Sequence, residues 1–115
     1  MQVNARSVFL GTKFAIAQML KQEPLQPSGD RGWIINISSI MGSIATEGNR
    51  TFNFALLHEM YALTDLSILL ASYCASKGAV SSLTRQVAVE YAKHRIHCNS
   101  ISPGCKSFFA LESIL

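Results

Sequence analysis

A tyrosine and a lysine stand four residues apart in the segment Tyr73-Cys-Ala-Ser-Lys77. On a helix, this spacing places two side chains on one face and within mutual reach. A tyrosine phenol is almost wholly protonated at neutral pH, and a neighbouring ammonium favours its phenolate form. Tyr73 could therefore exchange a proton as a general acid and base. The same pair also occurs on many helices as an amphipathic residue beside a solvated charge, so the spacing alone leaves both interpretations open.

The apolar periodicity on either side of this pair predicts two helices. Residues 3 to about 20 form the first, whose buried face is predicted to contain Val8, Phe9, Ala15, Ile16, Met19 and Leu20. The second begins after Ser72, its predicted N-cap, and ends near Lys93 and His94. The apolar positions of this second helix are Ala75, Ala79, Val80, Leu83, Val87 and Ala88.

Two short strands are predicted, one after each helix. The β-branched run at residues 33–38 is typical of a parallel strand that is covered on both faces. Residues 96–101 predict the other strand, which Pro103-Gly104 ends because this pair cannot continue a regular strand. The order helix, strand, helix, strand predicts an α/β fold with a parallel sheet and right-handed crossovers.

Composition excludes several classes of protein. The chain of 115 residues is 49% hydrophobic and 15% charged, as expected for one globular domain, and its net charge of +3 is scattered rather than clustered. We therefore expect neither a nucleic-acid surface nor a membrane-binding patch. The longest apolar stretch, residues 52–71, is interrupted by His58, Glu59 and Asp65, which disfavours a membrane span.

The cysteines and histidines predict neither disulfides nor a metal site. Three cysteines without CxxC spacing favour a reducing, cytoplasmic setting. His94 should end a helix, while His97 and Cys98 should point to opposite faces of a strand, so no metal is expected. Cys74 is interpreted as a small packing residue, with an oxidant-sensitive thiol as the alternative.

Three motifs in sequence order carry a family resemblance. Asn36-Ile-Ser-Ser39 ends the first strand, Tyr73-Cys-Ala-Ser-Lys77 lies on the second helix, and Asn99-Ser-Ile-Ser-Pro-Gly104 ends the second strand. Together they resemble the short-chain dehydrogenase/reductase family over residues 3–41 and 72–104. The resemblance implies one partial, Rossmann-like, doubly wound domain over residues 1–115. It also implies hydride transfer between NAD or NADP and a small alcohol or carbonyl substrate.

The resemblance assigns a role to four catalytic positions. Ser39, rather than Ser38, would orient the substrate oxygen, and Tyr73 would exchange a proton with it. Lys77 would favour the phenolate and hold the hydroxyls of the nicotinamide ribose. Asn4 would help to hold a water molecule for proton relay.

The same resemblance brings the backbone at Pro103 and Gly104 close to the nicotinamide carboxamide, beside the cofactor contacts of Tyr73 and Lys77. Each assignment has a plainer alternative. Ser39 could cap a turn, Asn4 could cap a helix, and Pro103-Gly104 could simply end a strand.

The chain departs from the family pattern in three places. It has no glycine-rich turn and no residue that reads the adenosine ribose, so NAD and NADP cannot be distinguished. Ser39 and Tyr73 are 34 positions apart, more than is usual in the family, which predicts an atypical insertion at about residues 49–71. Residues 105–115 form an atypical tail in place of the segment that covers the substrate. We interpret both segments as translated introns, with a genuine inserted helix at 49–71 as the alternative.

Two functions remain open at this stage. The first is an NAD(P)-dependent oxidoreductase that associates with itself through its two long helices. The alternative is a truncated, catalytically silent chain that acts only as a pairing partner or arises from a mis-spliced gene model.

Overall fold

The structure, a computed structural model, describes residues 2–44 and 66–104, with side chains in 2–44 and 71–104. Its α/β order is the one that the sequence predicts. The elements are a π-helical turn at Gln2–Arg6, helix α1 at Ser7–Met19, strand β1 at Gly32–Ile37, a 3₁₀ turn at Ile40–Gly42, helix α2 at Leu66–Tyr91, a 3₁₀ turn at Ala92–His94 and strand β2 at Ile96–Ile101.

The two strands pair in parallel. The register runs from Gly32 opposite Ile96 to Ile37 opposite Ile101. Both strands therefore end at the same edge of the sheet. Two further hydrogen bonds continue the pairing past the strand ends, from Ser38 N to the Ile101 carbonyl at 2.8 Å and from Ile40 N to the Pro103 carbonyl at 3.2 Å. The segments that follow the strands are thus held side by side.

One face of the sheet carries the core. Ile34 of β1 and Ile96 and Cys98 of β2 are buried against Ile16 of α1 and Val87 of α2. The strands present these residues on one face because successive side chains of a strand point to opposite sides. Both helices consequently pack on this face of the sheet.

The other face of β1 differs from the prediction. Trp33, Ile35 and Ile37 are each 52–53% exposed, so within the described residues β1 is covered on one face rather than on both. The β-branched run correctly predicted a strand. It could not show whether a second layer covers the sheet, because the same residues fit a strand with either environment.

The first helix is confirmed, but part of its predicted buried face is exposed. Phe9 and Leu20 are 50% and 40% exposed, whereas the polar Thr12 is buried. Phe9 lies seven residues before Ile16 and so on the same side of the helix. The described residues bury this side only near Thr12 and Ile16, and Leu20 follows the last helical residue.

The second helix is longer than predicted. It already includes Leu66, so Ser72 lies inside the helix and is not its N-cap. Ala75 and Ala79 are exposed, and small polar side chains share the buried face with the predicted valines. That face contains Ser76, Val80, Ser81, Thr84 and Val87.

The predicted insertion and tail lie mostly outside the described residues. Of residues 49–71, only 66–71 are described, and they belong to α2. Residues 105–115 lie outside the part of the chain that the structure describes. The interpretation of both segments stays a prediction. Within 2–44 and 66–104, no helix has the length and apolar character that crossing a membrane requires.

A polar cluster joins the loop before β1 to the start of β2. The Asp30 carboxylate accepts from His97 Nε2 at 3.0 Å and from Arg95 Nε at 3.4 Å. His97 in turn stacks on Trp33, with ring centroids 5.7 Å apart. The hydrogen bond from His97 lowers the pKa of the Asp30 carboxyl, and bonds with Ser28 and Arg95 act in the same direction against the opposing effect of desolvation.

We predict a large difference between an inward and an outward isoleucine of β2. Ile96 is 1% exposed and Ile101 is 55% exposed. Ile96→Ala should lower the free energy of unfolding by about 2–5 kcal/mol through lost burial and a new cavity. Ile101→Ala should change it by less than about 0.5 kcal/mol. Urea denaturation of both variants measures this, and equal losses would contradict the described core.

We also predict that the contribution of Asp30 to stability depends on pH. Because its pKa is lowered by folding, the carboxylate stabilises the native state above its unfolded pKa, and this stabilisation is lost as pH falls through the lower folded pKa. Asp30→Asn should therefore be less stable than the wild type at neutral pH, and the difference should vanish in acid. The measurement is urea denaturation across pH. In a His97→Ala background the effect of Asp30→Asn should be smaller, and an unchanged effect would exclude His97 as the main cause.

Candidate active site

Tyr73 and Lys77 lie together on α2, as their spacing predicts. The Lys77 Nζ atom is 5.9 Å from the centroid of the Tyr73 ring. The same Nζ atom donates a hydrogen bond of 2.9 Å to the carbonyl oxygen of Ile37, the last residue of β1. Tyr73 is 36% exposed. The ammonium is therefore anchored at the sheet edge beside a phenol that remains accessible from outside.

Ser39 caps the turn after β1. Its Oγ atom accepts from Met41 N at 3.2 Å, and the residue is 7% exposed. This hydrogen bond shows that Ser39 caps the turn, which is one of the two roles that the sequence left open. It does not exclude a second role, because a hydroxyl that accepts one hydrogen bond still has its own proton to donate.

Ser38 points inward rather than along the sheet edge. It is 2% exposed, and its Oγ atom donates to the Lys77 carbonyl at 2.9 Å. The Oγ atoms of Ser38 and Ser81 are 2.7 Å apart. The first serine of the pair is therefore occupied by helix α2.

Asn4 is joined to the tyrosine helix through Ser76. Asn4 Nδ2 donates to Ser76 Oγ at 3.2 Å, and Ser76 Oγ donates to the Tyr73 carbonyl at 2.7 Å. Asn4 lies in the π-helical turn before α1, a backbone form that is often found at functional sites. The structure thus connects Asn4 with the helix that carries Tyr73 and Lys77.

An open cleft lies between α1 and β1. Its volume of about 370 Å³ is in the range of small-molecule sites. It is lined by Val3, Asn4, Val8, Gly11, Thr12, Ile34, Ile35, Asn36, Ile37 and Lys77. Two of the residues singled out by the sequence, Asn4 and Lys77, therefore share one cleft.

Pro103 and Gly104 lie next to the turn that follows Ser39. The Pro103 carbonyl accepts from Ile40 N, and an added Cβ at Gly104 would lie 3.4 Å from the Ile40 side chain. Both residues are exposed. They belong to the carboxyl edge of the sheet, which is where ligands bind in open α/β sheets.

Asn36 is a buried residue whose structural role the sequence did not predict. It is 7% exposed and bonds to one residue from each of the other three main elements. Its Oδ1 atom accepts from Thr12 Oγ1 at 3.5 Å, and its Nδ2 atom lies 3.0 Å from Thr84 Oγ1 and 3.7 Å from Cys98 Sγ. A polar residue in the middle of an apolar strand was the available signal, because a buried amide must find partners.

The histidines and cysteines have the predicted orientations. His97 points outward to Asp30, whereas Cys98 is buried, and burial raises the pKa of its thiol. Cys74 is half-buried beside Tyr73. Over the described ranges 2–44 and 66–104, His, Cys, Asp and Glu side chains form no group of three that could hold a metal ion.

Two glycines allow the turn after Ser39 to touch α2. A Cβ at Gly42 would lie 2.7 Å from the Lys77 carbonyl carbon and 2.8 Å from Gly78 N. At Gly78, an added Cβ would lie 3.3 Å from the Gly42 carbonyl oxygen. Both contacts are with backbone, which cannot move aside as a side chain can. The close approach therefore depends on the absence of a side chain at Gly42.

We predict opposite effects from two glycine-to-alanine substitutions. Gly42→Ala should lower the free energy of unfolding by about 1–3 kcal/mol, because its methyl group must push the turn away from α2. Gly11→Ala in α1 has nothing within 4 Å of the new Cβ and should raise it by about 0.5–1 kcal/mol through helix propensity. Urea denaturation provides the measurement. A neutral or stabilising Gly42→Ala would contradict the described contact.

Comparison with known proteins finds similarity to dehydrogenases. The model of the short chain dehydrogenase family matches residues 63–111. The chain is 35% identical over 103 residues to a cyclopentanol dehydrogenase from Comamonas, and the aligned residues make up 90% of this chain and 30% of that protein. It is also 35% identical over 102 residues to a (3R)-3-hydroxyacyl-CoA dehydrogenase from dog, covering 89% of this chain and 29% of that protein.

A third relative is described as inactive. The chain is 34% identical over 104 residues to an inactive 2-(S)-hydroxypropyl-CoM dehydrogenase 2 from Xanthobacter autotrophicus, covering 90% of this chain and 33% of that protein. The chain thus spans about a third of the length of these curated relatives. Together with the parallel α/β arrangement, the family match and these similarities support a portion of a short-chain dehydrogenase/reductase.

Proposed function

We propose that the chain carries the proton-exchanging part of an NAD(P)-dependent oxidoreductase that interconverts an alcohol and a carbonyl compound. The observation that carries this proposal is the position of Lys77, whose ammonium is anchored on the Ile37 carbonyl and lies beside the Tyr73 ring. The named relatives support the substrate class, since cyclopentanol and a 3-hydroxyacyl thioester are both secondary alcohols.

Tyr73 is the proposed general acid and base. In the oxidation direction its phenolate takes the proton of the substrate hydroxyl, and in the reduction direction its phenol returns that proton to the carbonyl oxygen. The ammonium of Lys77 places a positive charge beside the ring of Tyr73. Ser39 donates its hydroxyl proton to the same substrate oxygen. A bound nicotinamide supplies the hydride exchange at the substrate carbon.

The donor groups of Lys77 suit the ribose that carries the nicotinamide. An ammonium has three N–H donors, and the Ile37 carbonyl accepts one, so two remain for a ribose hydroxyl and a water molecule. Pro103 and Gly104 offer exposed backbone at the same edge for the carboxamide. These residues fit the nicotinamide end of the cofactor and leave the choice between NAD and NADP open.

Asn4 is the proposed holder of a relay water. It lines the same cleft as Lys77, and its amide is oriented by the bond to Ser76. A water molecule in this cleft could accept from the lysine ammonium and donate to the side-chain carbonyl of Asn4. Such a path would connect the site with the outside solvent.

The exposed apolar surface favours a second candidate function, namely pairing with another polypeptide without catalysis. Phe9 and Phe14 of α1 are 50% and 66% exposed, and Val89 of α2 is 77% exposed. Such a surface supports association through the two long helices, including self-association. The inactive relative shows that this degree of similarity is compatible with loss of activity. The free thiols Cys74 and Cys98 fit a reducing, cytoplasmic location for either function.

We predict that Tyr73→Phe abolishes turnover by the chain. The substitution removes only the hydroxyl, and loss of a general acid and base lowers the rate by about 10²–10⁴-fold. The assay follows the nicotinamide absorbance of NAD and NADP with cyclic and aliphatic secondary alcohols, and that of their reduced forms with the corresponding ketones. Tyr91→Phe is the matched control on the same helix and should keep wild-type turnover.

Three outcomes are informative. Loss in Tyr73→Phe alone supports the proposal, and undiminished turnover in Tyr73→Phe contradicts the role of the phenol. A folded wild-type chain without turnover, and without binding of either reduced cofactor, would favour the silent pairing function.

A further inference from the structure

Two consecutive residues of the strand end hold Lys77 from opposite ends. The Ile37 carbonyl accepts from the lysine ammonium at 2.9 Å, and the Ser38 hydroxyl donates to the lysine main-chain carbonyl at 2.9 Å. A lysine side chain has four rotatable bonds, so fixing its backbone alone does not fix its charge. Hydrogen bonds to both the main-chain carbonyl and the ammonium of Lys77 fix the position of the charge.

The hydroxyl of Ser38 is itself oriented. It has a single proton, which goes to the Lys77 carbonyl, so the 2.7 Å contact between the Oγ atoms of Ser38 and Ser81 requires Ser81 to be the donor. Ser38 is 2% exposed and Ser81 is 6% exposed. Water therefore has little access to these two hydrogen bonds. In both of them the proton points the same way, from Ser81 to Ser38 and from Ser38 to the Lys77 carbonyl.

The turn that follows the serines makes the third contact. The backbone at Gly42 lies against the carbonyl group of Lys77, close enough that a Cβ would be 2.8 Å from the carbonyl oxygen. The segment 37–42 thus contacts Lys77 at its ammonium, at its carbonyl oxygen and along its backbone. We call Ile37, Ser38 and Gly42 the Lys77 clamp.

We propose that Ser38 is a positioning residue that acts through Lys77. Its hydroxyl fixes the turn of α2 that carries Lys77 against the end of β1, and thereby sets where the ammonium lies relative to Tyr73. The two serines then divide their work, with Ser38 holding the lysine and Ser39 facing the substrate. The catalytic consequence rests on the proposed function, whereas the placement of the ammonium does not.

The test uses the full chain and four variants. Ser38→Ala removes the hydroxyl, Ser38→Thr retains it, and Ser81→Ala removes the group that orients it. Ser82→Ala is the matched control, because Ser82 neighbours Ser81 on α2 but is exposed, and its Oγ atom accepts from Arg85 Nη2 at 3.1 Å. Circular dichroism first establishes which variants are folded.

The decisive readout is the nitrogen-15 NMR signal of the Lys77 ammonium, which is identified by its loss in Lys77→Arg. In the wild type this signal should be protected from solvent exchange by the Ile37 carbonyl. Ser38→Ala should shift it and reduce its protection, Ser81→Ala should do so to a smaller extent, and Ser38→Thr and Ser82→Ala should retain it. A purely structural role for Ser38 would lower thermal stability without moving this one signal selectively.

An unchanged Lys77 signal in folded Ser38→Ala would overturn the proposal. If Ser38→Ala does not fold, Ser81→Ala decides in the same way. Kinetics supply the second readout, in which Ser38→Ala should lower kcat by about tenfold or more because small displacements of catalytic groups are costly. Ser38→Thr should restore kcat. A wild-type chain without turnover would reject the proposed function, while the NMR result would still support or overturn the role of Ser38.

Discussion

The parallel pairing of β1 with β2 is the constraint on which the rest of the structure depends. It brings the residues after Ile37 and those after Ile101 to one edge, although α2 separates them in the chain. The register also decides which side chains reach the helices, because a slip of one residue would exchange the two faces of a strand. With the observed register, Asn36 and Ser38 face α2 and the backbone of Ile37 receives Lys77. The candidate site is therefore a consequence of strand pairing rather than of any one motif.

Buried polar side chains hold the helices in place on this sheet. Apolar contacts between Ile96 and Val87 favour burial but tolerate sliding, whereas a hydrogen bond has a preferred distance and direction. Asn36 links both helices to the sheet, and Ser38 with Ser81 makes a second link nearer the site. Every buried polar side-chain atom among the described residues has a partner, so these groups do not carry the cost of an unsatisfied bond. Their directionality explains how a helix as long as α2 presents Lys77 at a defined place.

The sequence predicted the elements and the motif positions better than the contacts. Both strands were located to within one residue, because β-branched runs bounded by glycine and proline are local signals. Ser72 was wrongly predicted as an N-cap, since the residues before it continue the helix and a local cap signal cannot exclude that. The exposure of Phe9 and the burial of Thr12 depend on which partner covers each position, which periodicity does not reveal. For the same reason the motifs indicated Tyr73 and Lys77, but not the bonds of Ser38, Ser76 and Asn36 that support them.

The proposed function makes two chemical demands on the fold, and Lys77 takes part in both. The proposed proton exchange uses Tyr73, Lys77 and Ser39, of which Lys77 is held by contacts between α2 and the end of β1 and Ser39 by the turn that follows. In the proposed function, a bound nicotinamide would exchange hydride beside them and would contact the exposed backbone at Pro103 and Gly104. A two-stranded sheet with an exposed apolar face is marginal by itself. Additional cover on the exposed side chains of Trp33, Ile35 and Ile37 would therefore stabilise the sheet, and at Ile35 and Ile37 it would also reach the cleft that contains Lys77.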